Sequence, residues 1–321
     1  MKIRDIKRFW QRLRTLRLPP PALLSMLYLV AIAVGSLLLM LPMSHNGNVG
    51  ISDAIFTSAS AVTVTGLTVL DTGSEFTLFG QMVIAVLIQL GGLGLMTFAV
   101  LLLLALGIPI GMPQRVLLRE NLNQSTTTSN LFVLSRLIIA IAIACEIVGT
   151  IALSFVFMPE FGFWAGLWQS LFHSISAFNN AGIQLFPNGL ANWVGDPIVN
   201  ITIPALFIVG GLGFIVVGDI YQKRAWKPLS LHSKLMLVGT GILIVFGSVG
   251  FGLLEWSNPD TLGALGHVQD KLWASWFQGV SPRTAGFNTV NIGGLHDSTS
   301  ILMMGLMLVG GGSTSTAGGI K

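Results

Sequence analysis

Residues 22–41, ALLSMLYLVAIAVGSLLLML, run for twenty positions without a charge, which is the length an α-helix needs to cross a lipid bilayer. The run is too long for the core of a secretory signal, and no small-residue cleavage site follows it, so it reads as a retained helix. Further apolar runs at 77–106, 131–157, 198–218 and 235–254, with another beginning at 300–309, make the chain polytopic. Composition agrees: 52% of residues are hydrophobic and 9% are charged, against about a quarter charged in a soluble domain. Soluble enzymes, nucleic-acid binders and disordered chains are excluded. Cys145 is the single cysteine, which rules out a disulfide within the chain.

The few charges set an orientation. Lys2, Arg4, Lys7, Arg8, Arg12, Arg14 and Arg17 precede the first span, Arg115 and Arg119 come two spans later, and Lys223, Arg224, Lys227 and Lys234 two further on. Every second loop is basic, so the N-terminus is expected in the cytoplasm. The net charge of +4 is therefore a matter of topology and lipid, and no nucleic acid partner is implied. Opposite loops carry Asp53, Asp71, Glu75, Glu160, Asp196, Glu255, Asp260, Asp270 and Asp297 against Lys271 and Arg283, nine acids less two bases, or −7. Such a field would concentrate cations at an external mouth; positive-inside sorting alone also leaves acids outside.

Between the spans lie three semi-polar stretches too short to cross, at 53–66, 168–182 and 273–287, and they repeat. Phe56–Leu67 (FTSASAVTVTGL) aligns with Phe172–Ile183 (FHSISAFNNAGI) and, one residue shorter, with Phe277–Phe287 (FQGVSPRTAGF). A glycine cluster follows each, at Gly91–Gly94, Gly210–Gly213 and Gly310–Gly312, at 91 − 66 = 25, 210 − 182 = 28 and 310 − 286 = 24 residues from the loop glycine. Three features in register define a repeated unit of span, re-entrant segment and span. Each unit starts and ends on the same side, so the repeats are parallel, whereas many secondary transporters use inverted ones. Non-helical backbone at membrane depth must be buried or line water. A short helix ending in Ser, Thr or Asn and then Gly suits a segment that descends and returns. Several such loops around an axis would form a ring of carbonyl oxygens that replaces the hydration shell of a potassium-sized cation. Extracellular loops with helical caps are the plainer reading of any one copy.

The motifs VTVTGL (62–67), SAFNNAGI (176–183), RTAGF (283–287) and GGGSTSTAGGIK (310–321) resemble the KtrB family, the membrane subunits of Ktr-type potassium uptake systems within the Trk/Ktr/HKT superfamily. The resemblance covers essentially the whole chain, and the single span before the first loop is similar to KtrB more than to TrkH-type subunits. It implies an all-α membrane protein of parallel M1–P-loop–M2 repeats, three of an expected four, around a pseudo-fourfold potassium pathway. The parts expected are a cytoplasmic basic segment 1–21, a first repeat 22–106, a linker 107–130, a second repeat 131–220, a linker 221–234 and a third repeat 235–321. The implied filter comprises Thr63, Val64, Thr65 and Gly66, then Asn179, Asn180, Ala181 and Gly182, then Thr284, Ala285 and Gly286, with K⁺ held by backbone carbonyls alone. Gly310, Gly311, Gly312, Ser313, Thr314, Ser315, Thr316, Ala317, Gly318 and Gly319 would be an intramembrane gating loop; a frayed chain end is the alternative. Loop glycines are 182 − 66 = 116 and 286 − 182 = 104 residues apart, so a fourth is expected near residue ~390–400 of a chain of roughly 440.

The same resemblance implies a transporter with no enzyme activity and no cofactor in this chain, with K⁺ as substrate and Na⁺ dependence left open. It implies a homodimer in the bacterial inner membrane, docked on a KtrA-type cytoplasmic ring that carries ATP/ADP or NAD(H). A Na⁺- or H⁺-coupled secondary transporter is the alternative; it calls for inverted repeats and paired intramembrane acids. Glu146, a carboxyl within a span, is a functional candidate, expected to partner another helix. Arg283 is expected to be anchored by an acid or carbonyl, and His173 to pack. The GGLG clusters are read as kinks or close-packing sites.

Overall fold

The computed structural model describes residues 20–47, 49–94, 128–312 and 315–320. Among these, all regular structure is helical, with two isolated β-bridges. The basic segment through residue 19, residues 95–127 with Arg115 and Arg119, and Ser313, Thr314 and Lys321 lie outside the described residues, as does the side chain of Arg136.

The first unit is α1 (Pro20–Leu39), α2 (Ile51–Val62) and α3 (Leu78–Gly92). The second is α4 (Thr128–Phe161), α5 (Phe163–Phe178) and α6 (Pro197–Leu212), continued after a break by α7 (Phe214–Lys223). The third is α8 (Leu231–Glu255), α9 (Val268–Val280) and α10 (Asp297–Leu308). Starts are locally encoded. Thr77 Oγ1, Asp196 Oδ1 and Ser230 Oγ accept from backbone amides in the first turns of α3, α6 and α8, supplying partners that no helix provides for its own first amides.

In each unit the first helix packs on the short middle one, and α3 and α6 each also pack on the middle helix of the next unit. The units are thereby chained one to the next. Pro204 helps make one of these joints. It has no N–H for the carbonyl of Asn200, four residues back, and that freed oxygen accepts from Trp276 Nε1 of α9 at 2.9 Å.

Long apolar side chains face outward. Phe155 of α4 is 72% exposed and Leu253 of α8 is 78% exposed, with Ile147, Ile151, Val245 and Val249 beside them, a surface compatible with hydrocarbon. The middle helices bury Thr57, Ser58, Ser60, Ser170, Ser174 and Ser176, with Ser58 and Ser174 donating to their first helices. Leu137–Phe161 and Leu231–Glu255 are long and apolar enough to cross a membrane. The span expected at 198–218 is broken at its glycine cluster: α6 and α7 are bent 94° apart at Gly213, whose φ is +94°. Helix breaks at clustered glycines follow from their conformational freedom.

Candidate functional site

Each middle helix ends in a loop of the same construction. The amide of Thr65 donates to Ser60 O, that of Ala181 to Ser176 O and that of Ala285 to Ser281 O, at 2.8–3.0 Å. In two of the loops a serine hydroxyl reaches across to the returning strand: Ser176 Oγ donates to Ile183 O at 2.7 Å and Ser281 Oγ to Phe287 O. The third copy spans four residues where the others span five, so its missing residue is absorbed within the turn.

Positive φ recurs in register. Val64 (55°) and Gly66 (79°), Asn180 (56°) and Gly182 (68°), and Thr284 (68°) and Gly286 (77°) alternate with residues of ordinary φ. Val and Thr are rare in this region because Cβ crowds the following carbonyl. Strain of about 1–3 kcal/mol per residue persists only where the surroundings over-determine it, and it clusters at functional sites.

The three loops lie side by side. A Cβ on Gly66 would fall 2.2 Å from Ala181 O, and one on Gly182 would fall 2.5 Å from Ala285 O. The first two loop glycines thus each abut the carbonyl preceding the glycine of the next loop. The C-termini of α2, α5 and α9 lead into these loops, directing their negative dipole ends there. On one side the glycines border a cavity of about 790 Å³ lined also by Asp71, Gln184 and Asn288. Asp71 is the charged residue in that lining among the described residues, which narrows the expected acidic mouth. Asp53 caps α2, Asp196 caps α6, Glu160 accepts from Trp193, and Glu255 is wholly buried.

On the opposite side, residues 310–312 and 315–320 fold back on themselves: Gly310 N donates to Ile320 O and Ile320 N to Leu308 O. The break at Gly213 leaves the carbonyls of Gly210 and Gly211 without helical partners. Thr316 N takes the first at 3.2 Å and Gly312 N the second at 2.8 Å. Thr316 Oγ1 also bonds Phe178 O at 3.1 Å and Asn180 Oδ1 at 2.9 Å, and Asn180 Nδ2 reaches Thr284 Oγ1 at 3.5 Å. The described part of 310–319 is therefore tied to the second loop.

The glycine clusters allow close approach. A Cβ on Gly91 would sit 2.1 Å from Val62 O, and one on Gly210 would sit 2.0 Å from Phe178 O, the last residues of α2 and α5. Sequence reasoning missed a matching set on the first helices. Gly35 abuts Ser58, Gly149 abuts Ser174 and Gly247 abuts Gly279; lone glycines in apolar helices were the available signal. The expectation for Arg283 is overturned. Its Nε has no partner among the described residues, and the side chain lines a small cavity with Gly211, Gly311 and Ala317. His173 is buried, stacked 4.7 Å from Phe186, and its Nε2 accepts from Leu185 N at 3.3 Å. Glu146 accepts from Asn179 on α5 at 3.2 Å. Among the described residues no three His, Cys, Asp or Glu side chains gather as metal ligands.

The family model for TrkH, a cation transport protein, matches residues 24–321. Ktr system potassium uptake protein B of Bacillus subtilis (strain 168) is 48% identical over 96% of this chain and 69% of its own length. The protein of the same name from Vibrio alginolyticus is 42% identical over 94% and 66%. The potassium/sodium uptake protein NtpJ of Enterococcus hirae is 38% identical over 95% and 67%. The crystal structure of the potassium transporter TrkH from Vibrio parahaemolyticus shares the fold, with a TM-score of 0.72 at 20% identity, over 95% of this chain and 59% of that one. The chain spans about two thirds of the length of the curated relatives it matches.

Proposed function

Because the chain belongs to the TrkH family of cation transport proteins, we propose that it forms the potassium pathway of a Ktr-type uptake system. The observation that carries this reading is the alignment of three strained loops, with Gly66 against Ala181 O and Gly182 against Ala285 O. Alternating positive and ordinary φ turns successive carbonyls toward one side of each loop. A ring of such carbonyls supplies the oxygen cage that a dehydrated monovalent cation needs. In this reading Thr63–Gly66, Asn179–Gly182 and Thr284–Gly286 are filter strands. The cavity bordered by their glycines is the outer vestibule.

Residues 310–319 then obstruct the path below the filter and must move for ions to pass. The units 22–106, 131–220 and 235–321 are the M1–P–M2 repeats, and the basic segments 1–21, 107–130 and 221–234 face the cytoplasm of a bacterial inner-membrane protein. Those basic segments are the surface on which a nucleotide-binding ring of the KtrA type would dock, and the chain would work as a homodimer. Potassium is the proposed cargo, with a sodium requirement open.

Rubidium uptake in potassium-uptake-deficient cells tests the filter directly. Gly66→Asp, in the protein at its native length and at matched membrane abundance, is expected to abolish uptake; unchanged flux would remove the filter assignment.

A further inference from the structure

Glu146 is 7% exposed in the middle of α4, at a position whose counterparts are apolar. The register follows from the first-helix glycines. Glu146 lies three residues before Gly149, Ile32 three before Gly35, and Ile244 three before Gly247. The backbone confirms the match for two units: Ser58 Oγ donates to Ile32 O at 2.9 Å, and Ser174 Oγ donates to Glu146 O at 2.8 Å. Packing a first helix on its middle helix therefore asks only for that carbonyl, and isoleucine supplies it. The carboxyl side chain answers a different need.

That side chain points to the start of the second loop. Asn179, which caps the end of α5 and opens the loop, donates through Nδ2 to Glu146 Oε1 at 3.2 Å and to Gln89 Oε1 at 2.8 Å. Gln89 belongs to α3 of the first unit, and Gly92, one turn on, leaves no room for a Cβ beside Asn179 Oδ1, at 2.1 Å. A carboxyl and two amides thus join both units immediately behind the second loop. The two Nδ2 hydrogens of Asn179 are shared among three oxygens, the third being Ile175 O at 2.9 Å, so the carboxyl helps set how that amide is oriented.

We propose that Glu146 is a positioning residue for ion discrimination: through its contact with Asn179, which itself meets Gln89 of the first unit, it helps hold the second filter loop in register with the first. The inference rests on the reading of Asn179–Gly182 as a filter strand. A fixed second shell is what keeps coordinating groups within about 0.5 Å of their productive places, so loosening it should blur discrimination before it stops transport.

The test is the ratio of rubidium to sodium uptake, which does not depend on how many folded copies reach the membrane, measured in the protein at its native length. Glu146→Leu, which copies the apolar side chain of the other two units, is expected to lower that ratio about tenfold. Glu146→Gln keeps an acceptor for Asn179 and is expected to stay within about threefold of the parent. An unchanged ratio in Glu146→Leu, with uptake reduced or not, would overturn the proposal, as would a Gln variant as impaired as the Leu variant. Gly66→Asp run in parallel separates the two claims. If that variant still transports, the filter reading fails; if it is dead while Glu146→Leu discriminates normally, the filter stands and the role of Glu146 falls.

Discussion

The α-carbon of Gly66 lies against the carbonyl oxygen of Ala181, so close that a Cβ would sit 2.2 Å from it. Two residues 115 positions apart in the chain (181 − 66) thus share one packing site, in which the backbone of one leaves no room for a side chain on the other. The glycine is required twice over, by this contact and by a φ of +79°.

Gly66→Ser should therefore displace the neighbouring loop's carbonyl as well as its own. The expected result is a loss of at least about tenfold in potassium-over-sodium selectivity, on the order of 1.4 kcal/mol of discrimination. Competitive rubidium and sodium uptake measures it. Selectivity equal to the parent's would show that the Ala181 carbonyl takes no part.

Thr316 ties the returning segment to Phe178 O and Asn180 Oδ1. Thr316→Val keeps the shape and removes the one hydroxyl hydrogen that these two oxygens share, a loss of about 1 kcal/mol net. If that segment blocks the path, its release should shift the closed–open balance roughly fivefold and raise uptake capacity with little change in apparent potassium affinity. Uptake measured with the regulatory partner absent gives the cleanest reading; capacity at or below the parent's would count against a blocking role.

Neighbouring glycines on α6 should behave oppositely. A Cβ on Gly210 would meet Phe178 O at 2.0 Å, whereas one on Gly211 meets nothing nearer than 3.6 Å. Gly210→Ala is expected to cost about 1–3 kcal/mol through overpacking, and Gly211→Ala to be close to neutral. Thermal unfolding of the two variants in detergent, side by side, provides the comparison.

Glu255, wholly buried at the end of α8, accepts from Asn258 Nδ2, Thr261 Oγ1, the His296 amide and Thr299 Oγ1. Glu255→Ala orphans all four donors and should cost about 3–5 kcal/mol, a fall in Tm on the order of 10 °C. Glu255→Gln, which retains an acceptor, should lose less. Equal melting of the parent and the Ala variant would mean that this knot contributes nothing to stability.

Much of the architecture was legible because it is written in local patterns. Charge-free runs mark the long helices, and the spacing of Ser60, Ser176 and Ser281 from Gly66, Gly182 and Gly286 marks three loops of one design. Thr77, Asp196 and Ser230 announce helix starts for the same local reason. The break at Gly213 was only half legible: a glycine cluster permits a kink, but a carbonyl left open by it must find a donor, and that donor is a hundred residues away. Arg283 misled for the converse reason, since packing sets it beside Gly211, Gly311 and Ala317, which no local pattern records.

By itself, then, the sequence determined that this is a membrane protein of repeated units, which apolar length, charge placement and loop glycines decide residue by residue. Only the tertiary structure decided which loop lies beside which, that Thr316 reaches Asn180, and that Glu146 stands behind Asn179. Within a dry interior every backbone and side-chain polar group needs a partner, and the partner's identity depends on how distant segments pack, which no local pattern records.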